Sequence, residues 1–156
     1  MPTEHAVRYL VTGAAGCIGA WTMKLLLEQG VDAVGADLSP DRRRLRLVAG
    51  DRPAADAQIV ALDVTDRDAV RAVVEEERIT HVIHLAALQA PFCRADPVRG
   101  SQVNVTGTIN VFEAALSARE RVRAVVYASS AAVFGPAVMY PDGLVRDDSP
   151  LWKHHR

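Results

Sequence analysis

Val11-Thr12-Gly13-Ala14-Ala15-Gly16-Cys17-Ile18-Gly19-Ala20 sets three glycines, each three residues from the next, between an apolar run and a helix-like one. Before it, Val7 to Val11 is short, apolar and rich in β-formers. After it, Cys17 to Glu28 carries Ile18, Trp21, Met23, Leu25 and Leu26 at positions that suit a helix, and Gly30 marks the stop. Glycine has a separate use at each place in such a turn. At Gly13 it permits a sharp exit from the strand, at Gly16 a close backbone approach to a diphosphate, and at Gly19 tight packing of helix on strand. Free amides at the helix start, around Cys17 and Ile18, would face that anion with the helix dipole behind them. A plain strand-helix turn also uses glycine, so the surroundings must decide.

Outward from the turn, two kinds of segment alternate. Asp32 to Ala36, Gln58 to Leu62, His81 to Leu85 and Val122 to Ala128 are short strand-like runs. Between them, a helix is predicted from Pro40 to about Val48, followed by a polar link, Gly50 to Asp56. Another is capped by Thr65 or Asp66 and runs to about Arg78, although Glu75, Glu76 and Glu77 near its end oppose the helix dipole. Asp96-Pro97 opens a long helix to about Ala118, with Val105, Ile109, Phe112 and Leu116 on one face. After Gly135 the pattern is loop-like, so 136–156 is expected to be a tail. Five strands alternating with four helices predict an α/β fold: a doubly wound parallel sheet of order 3-2-1-4-5, in one domain over 1–156.

Composition narrows the function. Hydrophobic residues at 49 % and charged residues at 24 % are ordinary for a globular chain, and a net charge of −1 gives no case for nucleic acid or an anionic membrane. The basic run Arg42-Arg43-Arg44 with Arg46 is expected to be a solvated helix face. Cys17 and Cys93 lack the spacing of a metal site or a redox pair, which predicts reduced thiols and a cytoplasmic protein without a metal. No apolar run approaches the roughly 20 residues of a membrane-crossing helix, and Met1 to Arg8 does not read as a signal segment.

Asp37 closes the second strand, 24 residues past Gly13. A carboxylate there can accept both hydroxyls of an adenine-side ribose and would repel a 2′-phosphate, which predicts NAD rather than NADP. Asp37 can equally be a loop acid or a helix cap, and Arg42 and Arg43 leave a compensating phosphate contact open. Asp63 likewise reads by itself as a capping residue.

The spacing Gly-x-x-Gly-x-x-Gly resembles the short-chain dehydrogenase/reductase superfamily, and nearly the whole chain resembles its extended branch, the NAD-dependent epimerase/dehydratase family. Leu62-Asp63-Val64-Thr65-Asp66 resembles the family segment after the third strand, which implies adenine contacts from Asp63 and Val64. His84-Leu85-Ala86-Ala87 resembles the fourth-strand ending, which implies that Leu85, Ala86 and Ala87 let a cofactor ribose lie against backbone. Asn104-Val105-Thr106-Gly107-Thr108 resembles the long-helix motif, which implies that Asn104 supports the active-site architecture beside the cofactor. Tyr127-Ala128-Ser129-Ser130-Ala131-Ala132-Val133-Phe134-Gly135 resembles the fifth-strand ending, where Ser130 matches a serine that hydrogen-bonds the reacting oxygen of the substrate.

The resemblance also implies a tyrosine that exchanges a hydroxyl proton during hydride transfer, with a lysine four residues later on the same helical face to lower its pKa. Four residues after Tyr9, Tyr127 and Tyr140 stand Gly13, Ala131 and Leu144, and Lys24 and Lys153 follow Ala20 and Ser149. No such pair exists in these 156 residues. Asp148-Ser149-Pro150-Leu151 resembles the stretch just before the family's tyrosine, so the chain is expected to be a truncated form, inactive or incomplete as a catalyst. Tyr140, His154 and His155 are the conceivable substitutes. The implied complete form acts on a sugar-nucleotide-like substrate. The long helix 97–118 is expected to leave its apolar face open, as is one edge of the fifth strand, which predicts marginal stability or self-association. Two other readings remain: a non-catalytic dinucleotide-binding or sensing module, and an S-adenosylmethionine-dependent methyltransferase, whose glycine loop usually differs.

Overall fold

The computed structural model describes residues 6–130 and 133–151. Five strands form one parallel sheet: β1 (Arg8–Thr12), β2 (Asp32–Asp37), β3 (Gln58–Ala61), β4 (His81–His84) and β5 (Ala124–Tyr127), in the order β3-β2-β1-β4-β5. The expected order is confirmed, and strand ends differ from the predicted ones by a residue or two. On one face lie α1 (Cys17–Glu28), α2 (Arg43–Ala49) and α3 (Asp51–Asp56). On the other lie α4 (Arg67–Glu76), α5 (Ala90–Ala95), α6 (Pro97–Ser101) and α7 (Gly107–Ser117).

Successive strand residues feed opposite cores. Leu10, Val34 and Val82 join Val70, Val74, Val103 and Val111 on the α4–α7 side. Val11 and Ala33 join Met23, Leu45 and Ala54 on the α1–α3 side. Because both faces are covered, the strands read as unbroken apolar runs rather than as alternation.

Five expectations need correction. The polar link Gly50 to Asp56 is in fact α3: Pro53 lies in its first turn, where a missing N–H costs nothing. Its terminal carbonyls are satisfied by Arg42, whose Nε donates to Ala54 O at 3.0 Å and Nη2 to Ala57 O at 2.8 Å. Arg42 is therefore half-buried and engaged, not part of a solvated face. The helix predicted from Pro40 starts only at Arg43. α5 was not foreseen. Finally, the long helix is not uniform, because Gln102–Thr106 forms a π turn in which Gly107 N donates to Gln102 O. Of the two caps offered for α4, Asp66 serves: its Oδ1 accepts from the amides of Asp68 and Ala69 at 3.1 and 3.0 Å.

The π turn adds a residue, so the helix buries Val103, Gly107, Asn110, Val111 and Ala114 while Val105, Ile109, Phe112 and Leu116 form an exposed stripe. On α1, similarly, Met23 enters the core while Ile18, Trp21 and Leu25 stay exposed. The tail keeps some order, with two short 3₁₀ turns, Ala137–Met139 and Pro141–Gly143, and a buried Tyr140. Among the described residues no helix is long and apolar enough to cross a membrane.

Candidate functional site

Chain order reverses between β1 and β4, so the connections leaving those strands diverge and open a crevice at their carboxyl ends. Two hollows meet there. The wider, about 720 Å³, is lined by Gly13, Gly16, Cys17, Ile18 and Gly19, by His84 to Ala90, by Asn104 and Thr108, and by Tyr127 to Ser130. The narrower, about 380 Å³, shares Gly13, Gly16 and Leu85 to Leu88 and adds Asp37, Leu62, Asp63, Val64, Arg99 and Val103. Each residue given a cofactor or substrate contact from the sequence thus lines one hollow or both.

Gly13 holds φ at +73°, and a Cβ on it would sit 2.8 Å from Ala86 N and from Leu85 C. A Cβ on Gly19 would meet the Gly13 carbonyl and, at 2.8 Å, Ala14 Cα. Any side chain at either place would push the turn away from β4 or from α1. No side chain caps α1 at Gly16, and the amides of Cys17, Ile18 and Gly19 donate to no other described group. Three unspent donors at a helix start, beside a cavity they line, suit the diphosphate of a dinucleotide.

Ala15 is held on both sides of the turn. Its N–H donates to Asp37 Oδ2 at 3.0 Å, and its carbonyl accepts from Arg44 Nη1 at 2.8 Å. Asp37 Oδ1 also takes the Ser39 amide at 3.4 Å. Arg43 is spent on Asp41 at 2.6 Å, and the Arg43 amide, followed by its guanidinium, holds that carboxyl below its usual range. Neither Arg42 nor Arg43 therefore has an idle guanidinium beside Asp37.

Asp63 serves as more than a cap. Its Oδ1 accepts from the Thr65 amide and hydroxyl, and its Oδ2 lies 3.0 Å from Arg99 Nη2. Partial burial raises the Asp63 carboxyl, but Thr65 and the Arg99 guanidinium outweigh it, and the net position is below the ordinary carboxylate range. Asn104 reaches the peptide of Leu88 from both sides: Oδ1 accepts Leu88 N at 2.7 Å and Nδ2 donates to Leu88 O at 2.9 Å. It fixes the chain leaving β4, an arrangement that supports the wall of the cleft.

Sequence reading gave no site role to Thr12, His84, Thr108 or Arg99, and assigned Arg44 to a solvated helix face. His84 is buried between Thr12 Oγ1, 2.7 Å from its Nδ1, and Thr108 Oγ1, 3.1 Å from its Nε2, and burial pushes its imidazole below the ordinary value. Position gave one usable signal, since Thr12 is the last strand residue before the glycine turn. Arg99 and Arg44 reach the site across long sequence separations, which no local pattern records. Of the conceivable proton-transfer substitutes, Tyr140 is excluded: it is 5 % exposed, with its hydroxyl bonded to Gly135 N and Pro150 O. His154 and His155 lie outside the described residues.

Known proteins match this arrangement. The model of the NAD-dependent epimerase/dehydratase family matches residues 9–154. A UDP-glucose 4-epimerase of Drosophila melanogaster is 34 % identical over 145 residues, covering 85 % of this chain and 39 % of that protein. A UDP-glucose 4-epimerase of Bacillus subtilis is 35 % identical over 148 residues, covering 91 % and 41 %. The structure of a Thermus thermophilus UDP-glucose 4-epimerase in complex with NAD superposes with a TM-score of 0.72 at 30 % identity, covering 91 % of this chain and 43 % of that one. The chain spans about two fifths of the length of these relatives. With the family model matched over almost all of its length, the chain belongs to the NAD-dependent epimerase/dehydratase family.

Proposed function

We propose that these 156 residues form one domain, the NAD-holding part of an oxidoreductase that in full acts on a sugar nucleotide. The observation that carries this reading is the set of three unspent amides at Cys17, Ile18 and Gly19, opening onto a crevice where Gly13 leaves no room for a Cβ. The diphosphate lies on those amides and against Gly16. Asp37 turns from Ala15 to the adenine-side ribose hydroxyls, which favours NAD over NADP. Asp63 and Val64 line the adenine pocket, Leu85, Ala86 and Ala87 floor the cleft, and Asn104 holds that floor in place. Ser130 stands at the substrate end. The nicotinamide supplies hydride chemistry when bound. The proton transfer that must accompany it has no Tyr-x-x-x-Lys pair here, and its loss removes about 10²–10⁴-fold of rate.

Isothermal titration of the chain with NAD, NADH and NADP, together with turnover assays on UDP-sugars, tests this. Binding of NAD and NADH, weaker binding of NADP and no turnover are expected. Absence of heat and of thermal protection with all three from a folded sample overturns the reading. A second reading is a module that binds dinucleotide without catalysis; binding data over a physiological range of NAD/NADH ratios separate the two. A cytoplasmic location and pairing of two copies through the exposed stripe of α7 are part of the proposal.

A further inference from the structure

The hydrogen bonds around His84 favour one place for its proton. Thr12 Oγ1 accepts the amide of Ala86 at 3.3 Å and shares that of Leu85, at 3.2 Å, with the Thr12 carbonyl oxygen. With two amides directed at that oxygen, its own proton is best donated, and His84 Nδ1 lies 2.7 Å away to accept it. At the other end, Thr108 Oγ1 spends its proton on Asn104 O at 2.8 Å, so it accepts from His84 Nε2 at 3.1 Å. The Thr108 end calls for, and the Thr12 end suits, the same form: a neutral ring with the proton on Nε2 and a bare Nδ1.

That ring ties together three walls of the cleft. Thr12 immediately precedes Gly13, and the Leu85 and Ala86 backbone it holds is the surface Gly13 packs against. Thr108 is one turn from Asn104, which fixes Leu88. We propose that His84, as the Nε2–H tautomer, is a positioning residue for dinucleotide binding, locking glycine turn, ribose floor and long helix into one register. This rests on the dinucleotide reading above and adds to it a dependence on protonation. A proton on Nδ1 would aim a third donor at Thr12 Oγ1, so either Thr12 turns away or the Leu85–Ala86 backbone lifts from Gly13. Each outcome deforms the floor of the site.

Burial holds the His84 imidazole below its ordinary value, and nothing charged among the described residues beside it opposes that shift. On β5, Tyr127 stands in register opposite it; Cys17 faces the cleft from α1; the long helix presents Asn104 and Thr108. Among the described residues lining the wider hollow, none bears a carboxylate or a fixed positive charge, and Cys17 and Tyr127 are the other titratable groups.

The test uses the whole chain with ¹⁵N-labelled histidine rings, read by two-bond ¹H–¹⁵N spectra, alongside NAD titrations from pH 8 to pH 5. Expected are the Nε2–H tautomer at pH 8 and an NAD affinity that falls at least tenfold with the same midpoint as the His84 ring. Thr108→Val, which removes the acceptor at nearly constant shape, is expected to weaken NAD tenfold and to alter the His84 ring signals, with Thr108→Ser restoring both. A proton on Nδ1 at pH 8, or an NAD affinity that stays flat while His84 titrates, overturns the proposal. Those measurements need only the unaltered protein, so a Thr108→Val chain that fails to fold leaves the test intact. If the unaltered chain binds no NAD at pH 8, the dinucleotide reading fails instead, and the ring spectra alone then judge the tautomer.

Discussion

The ring of Phe112 on α7 meets that of Tyr127 on β5 edge-on, with centroids 5.4 Å apart, joining the exposed helix stripe to the exposed last strand. Val105, Ile109 and Leu116 extend the surface along the helix at 52–59 % exposure, and Tyr127 ends it at the edge strand at 57 %, while Val126, 61 % exposed, lies on the other face of that strand. Contiguous apolar surface beside an unpaired strand edge promotes association. Sedimentation velocity is expected to show concentration-dependent self-association, and the double substitution Ile109→Glu, Phe112→Glu is expected to return the chain to a monomer. A chain that is monomeric at all concentrations before substitution would contradict this.

Gly13 and Gly30 separate two costs that a glycine can hide. Both hold positive φ, +73° and +67°, but a Cβ at Gly30 meets nothing within 4 Å, whereas at Gly13 it strikes the Leu85–Ala86 backbone. Gly30→Ala should cost about 1–2 kcal/mol of strain. Gly13→Ala should cost more than that in urea unfolding and should abolish NAD binding, while Gly30→Ala leaves binding intact. Equal destabilisation by the two would show that the contact with β4 is relaxed easily.

Much of this was legible in the residues, for identifiable reasons. Strand order followed from five apolar runs alternating with helices, because a parallel sheet buried on both faces has few permitted connections. The glycine turn was legible because its constraints are local. α3 was not, since Pro53 and the polar residues around it read as a link, and the helix is completed by carbonyl bonds from Arg42, far enough away to leave no local trace. The open apolar stripe of the long helix was expected, but the composition of its buried side was not. Beside Val103 and Val111 the small or polar Gly107, Asn110 and Ala114 face the core, and at Gly107 the helix packs so close to Val64 that bulk does not fit. The Arg99–Asp63 pair and the His84 bonds depend on tertiary approach and have no sequence signature of their own.

Asn110 illustrates the cost of that close packing. At 6 % exposure its Nδ2 donates to Val64 O at 2.9 Å and to Thr65 O at 3.2 Å, so it holds the chain between β3 and α4 from across the interface. Asn110→Ala leaves two carbonyls without this donor and is expected to destabilise by about 1–3 kcal/mol. Asn110→Asp should be worse at neutral pH, placing a carboxylate against carbonyl oxygens. Chemical denaturation of both variants decides it; a neutral Asn110→Ala would mean that water replaces the amide freely.

Asp63 gives a stability that depends on acid. Its carboxyl lies below the ordinary range when folded, so it contributes stability that is complete above the unfolded value of about 3.9 and is lost as pH falls through the lower folded value. The pair with Arg99 is about one third exposed on each side, so solvent screens it and the effect is modest. Asp63→Asn should be less stable than the parent at pH 7, and the gap should close as the pH is lowered past about 4. A gap independent of pH would assign the effect to shape, not charge.

Tyr140 carries the last expectation, because it decides whether the described residues hold a replacement for the absent proton donor. Its hydroxyl accepts from Gly135 N at 2.7 Å and donates to Pro150 O at 3.2 Å, and its ring meets Phe134 edge-on at 6.3 Å. A phenol with its proton committed to a carbonyl and its oxygen to an amide fastens the tail instead of serving a substrate. Tyr140→Phe keeps the ring contact and loses both hydrogen bonds, so it should lower stability by about 1–3 kcal/mol while NAD affinity, measured by calorimetry, stays within twofold. A large loss of NAD affinity in a folded Tyr140→Phe chain would place the phenol at the cofactor and reopen it as a proton-transfer group.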